Sequence, residues 1–282
     1  MNESTKKNLD RKSYYIDNVQ LYNNKPLFSW IDINLTELCN RACVFCPRAD
    51  DSIYPNQHLH ISEKLISKIV QELEKIDYKG SVVFAGFGEP MLHPELLKLI
   101  SHFKNIRLEI VTNGDPLNAK LIQKMITNGI DLICISMYDG PEQIEKFTKM
   151  FHEANVSKEH YLLRDRWHTQ EDEYGLKLTN RAGMVSVGHQ EAVKIDKACY
   201  YPHYSMTIDW NGDSLLCVQD WNKKIKFGNL NSQSLLDIWY SKLMNKYRKT
   251  LGDANRDINP CNGCNAEGTL HGFNHIKFWK DL

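Results

Sequence analysis

Cys39, Cys43 and Cys46 fall within eight residues, Cys39-Asn40-Arg41-Ala42-Cys43-Val44-Phe45-Cys46, directly after an apolar run from Phe28 to Leu35. No regular strand or helix brings side chains at these offsets to one point, so a loop must do it, and three converging thiolates can hold an inorganic centre. Iron–sulfur clusters usually take four cysteine thiolates, so three around a four-iron cluster leave one iron open to a small molecule. Zinc is the competing metal. Structural zinc sites usually pair two Cys-x2-Cys units and need a fourth ligand nearby, and none is evident close to Cys46.

Four further cysteines, Cys199, Cys217, Cys261 and Cys264, have the composition of a second, fully ligated site. Sequence alone leaves zinc and iron–sulfur both open for it. Cys134 is left over and shares strand parity with Ser136, so both can face one interior, where a free cysteine is usually a small hydrophobe. His93, His102, His160 and His168 show no ligand spacing, and Lys223-Lys224-Lys226 reads as a solvated face.

The elements that must position these residues alternate. A strand from Phe28 to Leu35 is followed by a helix from Ser62, a plausible N-cap, to Ile76, with Leu65, Ile66, Ile69, Val70 and Leu73 at helical spacing. Strand Ser81 to Ala85 runs into Gly86-Phe87-Gly88-Glu89-Pro90, and a helix from Pro94 to Phe103 follows. Strand Arg107 to Thr112 ends in Asn113-Gly114, a helix from Asn118 to Asn128 stops at Gly129, and strand Leu132 to Ser136 ends in Met137-Tyr138-Asp139. Helix Pro141 to Glu153 and strand Glu159 to Arg164 complete the series. Such alternation predicts parallel βαβ units with their ligand site at the C-terminal strand ends, and the Cys39–Cys46 loop, Gly86–Pro90, Asn113-Gly114 and Met137–Asp139 each sit at one. From Lys194 the pattern changes to a hairpin, Met206 to Asp209 and Ser214 to Val218, and then a helix from Ser234 to Leu251.

The Cys-x3-Cys-x2-Cys spacing, with an aromatic before the last cysteine, resembles the radical S-adenosylmethionine (SAM) superfamily. The resemblance covers roughly Phe28 to Val187. It implies an α/β fold, a partial (β/α)6 TIM-like barrel, and a [4Fe-4S] cluster on Cys39, Cys43 and Cys46 whose open iron is chelated by SAM. Reduction of that cluster cleaves SAM to a 5′-deoxyadenosyl radical. Gly88-Glu89-Pro90 resembles the family's Gly-Gly-Glu-Pro element that meets the SAM amino group, with Phe87 where its first glycine usually stands. The resemblance also makes Phe45 a lid or adenine neighbour, and Thr112, Asn113, Ser136 and Arg164 candidate SAM contacts. Arg164 and Arg166 both close the fifth strand, where an arginine fork suits a carboxylate or a substrate hydroxyl and a plain surface arginine is the alternative for each.

The C-terminal third resembles the SPASM-type auxiliary domains, through Phe227-Gly228-Asn229-Leu230, Ser234-Leu235-Leu236-Asp237-Ile238-Trp239 and the basic helix to Arg248. Four cysteines match the shortened, twitch version of that domain, with one auxiliary [4Fe-4S] cluster. Twitch enzymes include radical dehydrogenases that oxidise an aminocyclitol hydroxyl. Thr179-Asn180-Arg181-Ala182-Gly183 resembles a stretch that precedes the auxiliary cluster in such relatives, which makes Arg181 the candidate to bind or deprotonate a substrate hydroxyl. The expected division is 1–27, a polar N-terminal extension; 28–190, the barrel; and 191–282, the auxiliary-cluster domain.

The expected activity is oxidation of a sugar- or cyclitol-type carbinol, with flavodoxin or ferredoxin as electron donor. Peptide modification is the rival, disfavoured because about 27 polar residues before the first strand are too few to fold as a leader-binding domain. A radical epimerase would need a thiol donor, and Cys134 lies about 7 Å deeper than Ser136 along its strand. A non-catalytic metal-binding module is the alternative of another class. Lysine plus arginine and aspartate plus glutamate number 35 each, so no global field favours nucleic acid or an anionic membrane. The first residues carry Lys6, Lys7, Arg11 and Lys12 but no apolar signal core, and no stretch is apolar for about 18 residues, so a cytoplasmic protein is expected. Eight cysteines there argue for metal rather than disulfides.

Overall fold

The structure is a computed structural model that describes residues 3–167, 178–186 and 196–280. The expected boundary at 190, together with Val187, Lys194 and His168, lies outside the described residues.

After a small ribbon of β1 (Leu21–Tyr22) and β2 (Lys25–Pro26), five strands are parallel neighbours in chain order: β3 (Trp30–Ile33), β4 (Ser81–Phe84), β5 (Leu108–Thr112), β6 (Leu132–Met137) and β7 (Tyr161–Asp165). The connections carry α2 (Glu63–Lys75), α3 (Leu96–Ile100), α4 (Ala119–Asn128) and α5 (Glu142–Glu153). A sixth parallel strand, β8 (Ser205–Ile208), lies on the other side of β3, with Trp30 opposite Ser205. β9 (Asp213–Leu215) and β10 (Lys226–Asn229) extend the sheet antiparallel. The C-terminal region therefore continues the sheet of the N-terminal one, and Met206, Trp239 and Met244 belong to the same apolar cluster as Ile33 and Phe84.

Strand parity separates two faces. Ile31, Ile33, Val82, Phe84, Ile110, Ile133 and Ile135 pack with Leu65, Ile69, Ile122 and Phe147 of the helices. The alternate positions, including Trp30, Asp32, Val83, Glu109, Cys134, Ser136 and Arg164, face the interior. Start signals read from sequence hold: Ser62 Oγ accepts from the Leu65 amide at 3.2 Å, and Asn118 caps α4, which ends at Gly129 with φ 120°.

Three expectations change. The helix expected from Pro94 to Phe103 is only the five residues of α3, and a 3₁₀ turn, Pro90–Leu92, capped by Glu89 on the Met91 amide, precedes it. The helix expected from Ser234 to Leu251 is two, α7 (Leu235–Trp239) and α8 (Lys242–Gly252). Ser241 Oγ accepts from the Met244 amide at 3.2 Å and starts a new helix. Third, the polar N-terminal segment holds α1 (Glu3–Ile16), docked on the interior face. Arg11 pairs with buried Glu109 at 2.9 Å and donates to Cys134 Sγ. Lys12 sits over the Trp30 ring at 4.9 Å, and Ile16 packs with Trp30, Val83 and Tyr204. The remaining helices are α6 (Tyr201–Tyr204) and α9 (Phe273–Lys280).

Candidate active site

The cysteine loop leaves β3 and is bolted to the next strand ends. Arg41 forks onto two carboxylates, Asp115 beyond β5 and Asp139 beyond β6, with all four contacts at 2.6–2.7 Å. Paired forks of this kind fix geometry as well as energy. Asn113 donates to Asn40 Oδ1 at 2.8 Å, and Asn40 donates to Asp115 at 2.8 Å. Burial, followed by the neighbouring sulfurs of Cys46 and Cys39, pushes the Cys43 thiol up to about 12. Three soft donors that influence one another suit a cluster, and binding must displace their protons.

The turn after β4 is fitted against that loop. A Cβ on Gly88 would lie 2.1 Å from the Thr36 carbonyl oxygen and 2.6 Å from that of Leu38, so glycine alone permits the approach. The Glu89 amide donates to the Leu38 carbonyl at 2.7 Å. Its carboxylate, 3% exposed, accepts from the amides of Met91 (3.1 Å) and Asn113 (2.8 Å). Desolvation raises Glu89 to about 7, against the hydrogen bonds from Thr112, Asn113 and Met91. Phe87, the departure from the family pattern, has a role of its own: its ring lies 5.0 Å from Trp221 and 6.4 Å from Tyr54.

Thr112, Asn113 and Ser136 end their strands beside this turn. Thr112 Oγ1 accepts from the Gly114 amide at 3.0 Å, and Ser136 Oγ accepts from Arg164 at 2.5 Å across the β6–β7 register. Arg164 keeps its Nε unpartnered, and burial lowers its pKa. Phe45 lies 5.6 Å from Tyr138, which also stacks under Arg41. Arg166 is buried, not a plain surface arginine, and donates to the Asp165 carbonyl at 2.6 Å.

The four C-terminal cysteines line one cavity with Tyr201, Leu216 and Leu251. The Cys199 amide donates to the Leu251 carbonyl at 2.9 Å, and the Cys264 amide to the Cys261 carbonyl at 3.1 Å. Burial pushes Cys199 to about 11 and Cys261 to about 12, and raises Cys217. Arg256 braces the rim through the carbonyls of Lys197, Ala266 and Glu267.

Arg181 joins the two sets. Asn180 and Asn265 exchange side-chain-to-amide bonds at 2.7 and 3.2 Å, and Asn180 donates to the Gly263 carbonyl at 2.8 Å, so the turn clasps the Cys261–Cys264 knuckle. Arg181, Ala182 and Gly183 have φ of 49°, 54° and 90°, a strained run for non-glycine residues that persists only where its surroundings enforce it. The Arg181 charge favours the ionised thiols of both Cys46 and Cys264, so it lies within electrostatic reach of a cysteine from each set. Its Nε is buried without a partner.

Sequence reasoning missed the polar hub beneath these loops. Asn34 Oδ1 accepts from the amides of Phe87 (3.0 Å) and Gly88 (3.2 Å), while its amide donates to Glu37 and Asp209. Arg48 pairs with Glu37 at 2.9 Å. Lys223, expected on a solvated face, instead reaches Glu37 at 2.5 Å and Asp209 at 2.7 Å. These two acids are buried, and Lys223 balances them. Periodicity could not reveal this, because the partners are far apart in sequence.

Comparison with known proteins places both cysteine sets within matched domains. The model of the radical SAM superfamily matches residues 33–162, and that of an iron–sulfur cluster-binding domain, SPASM, matches 199–265. The chain carries a radical SAM domain followed by a SPASM domain. As a radical SAM enzyme with a SPASM domain it uses SAM, a [4Fe-4S] cluster and a further iron–sulfur centre. It is 28% identical over 246 residues to an S-adenosyl-L-methionine-dependent 2-deoxy-scyllo-inosamine dehydrogenase of Niallia circulans, covering 85% of this chain and 93% of the relative. A tungsten-containing aldehyde ferredoxin oxidoreductase cofactor-modifying protein of Pyrococcus furiosus is 26% identical over 38% of this chain and 30% of its own. Among solved structures, BtrN in complex with AdoMet and 2-DOIA shares the fold, with a TM-score of 0.72 at 24% identity over 89% of this chain and 98% of that one.

Proposed function

We propose that this enzyme oxidises a carbinol of a small cyclitol or aminocyclitol. The observation that carries the reading is an arginine, Arg181, whose charge reaches a cysteine of each site, in a chain similar along 85% of its length to a dehydrogenase of that substrate class. Cys39, Cys43 and Cys46 would hold the SAM-binding cluster, and Cys199, Cys217, Cys261 and Cys264 the auxiliary one. When bound, these groups supply a hydrogen-abstracting 5′-deoxyadenosyl radical and an electron acceptor.

The chain's own residues position the partners. Glu89 takes the SAM ammonium, the Gly88 turn admits its backbone, and Thr112, Asn113, Ser136 and Arg164 line the strand ends around it. Phe45 covers the adenine side. Arg181 donates an N–H to the substrate hydroxyl oxygen, which favours loss of its proton to water once the carbon-bound hydrogen is gone. Cys134, enclosed by burial and Arg11, is poorly placed to return a hydrogen atom, which supports oxidation over epimerisation. We place the enzyme in the cytoplasm with a flavodoxin or ferredoxin as reductant. Among the described residues no helix is long and apolar enough to cross a membrane.

Glu89 gives a pH signature. Its pKa of about 7 means that SAM binding must remove a proton below that pH. SAM affinity is expected to rise about tenfold per unit up to neutrality and then level off. Equilibrium binding measured across pH should show this slope, and Glu89→Gln should abolish it along with most of the affinity.

The substrate reading is tested by incubating anaerobically reconstituted enzyme with SAM, dithionite and 2-deoxy-scyllo-inosamine. Equal amounts of 5′-deoxyadenosine and ketone are expected. SAM cleavage that no cyclitol stimulates would count against it.

A further inference from the structure

A cavity lies away from both cysteine sites, between α8 and α9 where they meet α6. It has a volume of about 510 Å³, within the range of small-molecule sites. At its base is Arg248, 3% exposed and clamped between the rings of Trp239 and Trp279, each 3.9 Å from the guanidinium carbon. Two of its nitrogens are used, Nε on the Pro202 carbonyl at 2.8 Å and Nη1 on Asn245 at 2.5 Å. Nη2 is buried without a partner, and among the described residues no carboxylate forms an ion pair with this arginine.

A buried charge without a counter-ion is costly, and an anion delivered from solution would relieve the cost. The other walls repeat the request. His203, 2% exposed, has an unpartnered Nδ1; burial, then the charge of Arg248, lowers it to about 3, so the ring is neutral and Nδ1 can carry a donor proton. Lys249 and Lys280 stand on the rim. These groups number four, more than one carboxylate with two oxygens can satisfy, and three phosphate oxygens suit them better. Asp253, also in the wall, would repel a bare anion but can accept from a hydroxyl on the body that carries it.

We propose that this cavity binds the phosphate group of a small hydroxylated phosphate monoester, with Arg248 as its central contact. The site is separate from the chemistry but adjoins its scaffold: Gly252 lines the cavity, and the preceding residue, Leu251, holds the Cys199 amide.

The test is thermal unfolding of the reconstituted holoenzyme titrated with glucose 6-phosphate, inorganic phosphate and sodium acetate at constant ionic strength. A saturable rise in midpoint is expected with glucose 6-phosphate, a weaker one with inorganic phosphate, and none with acetate. Arg248→Met should remove the response while the protein without phosphate stays at least as stable, since an apolar chain replaces an unpaired buried charge. The double variant Lys249→Ala, Lys280→Ala should weaken the response several-fold with the cluster absorbance unchanged, and it decides the matter if Arg248→Met fails to fold. Equal responses to acetate and glucose 6-phosphate, no saturable response, or an unchanged one in the lysine variant would overturn the proposal.

Discussion

Cys43→Ala protein is expected to cleave SAM only at background while keeping the absorbance of its auxiliary centre. Cys43 is the middle donor of the loop, and the sulfurs of Cys39 and Cys46 both act on it. Two thiols cannot keep a site-differentiated cluster in place. The loop should survive the change, because its anchors are the Arg41 fork and the Asn40–Asn113 bond rather than the sulfur. The assay is anaerobic quantification of 5′-deoxyadenosine with iron content measured in parallel. Parent-level cleavage by the variant would remove Cys43 from the assignment.

Arg181→Met is expected to behave differently, lowering ketone formation about 100-fold or more, the usual cost of deleting a donor aimed at developing negative charge. SAM cleavage should continue, so 5′-deoxyadenosine would exceed ketone and coupling between them would be lost. Arg181→Lys should recover little, because an ammonium cannot reproduce the guanidinium fork. A merely structural role for Arg181 would instead lower both products together as the Asn180–Gly183 turn released the Cys261–Cys264 knuckle.

Much of this site was legible in the chain itself, for identifiable reasons. Cys39, Cys43 and Cys46 announce themselves because thiol spacing is a local property, and the βα series is legible because each helix carries an apolar stripe and a cap such as Ser62 or Asn118. The split at Ser241 is also local, but a run of good helix formers hid the cap within it. What stayed hidden depends on distance in sequence. Lys223 looks solvated until Glu37 and Asp209 are brought beneath it. The charges of α1 suggest a solvated lead until Glu109 and Cys134 supply buried partners for Arg11. Phe87 seems a defect in a glycine element until Tyr54 and Trp221 close around it.

The most direct test of the central claim is the fate of the carbinol hydrogen. With 2-deoxy-scyllo-inosamine deuterated at the carbon to be oxidised, the enzyme should transfer one deuterium into 5′-deoxyadenosine for each ketone formed, since the radical takes that hydrogen and none is returned. Ketone formed with unlabelled 5′-deoxyadenosine, or recovered substrate that has exchanged its deuterium for solvent hydrogen, would contradict oxidation by direct abstraction at that carbon.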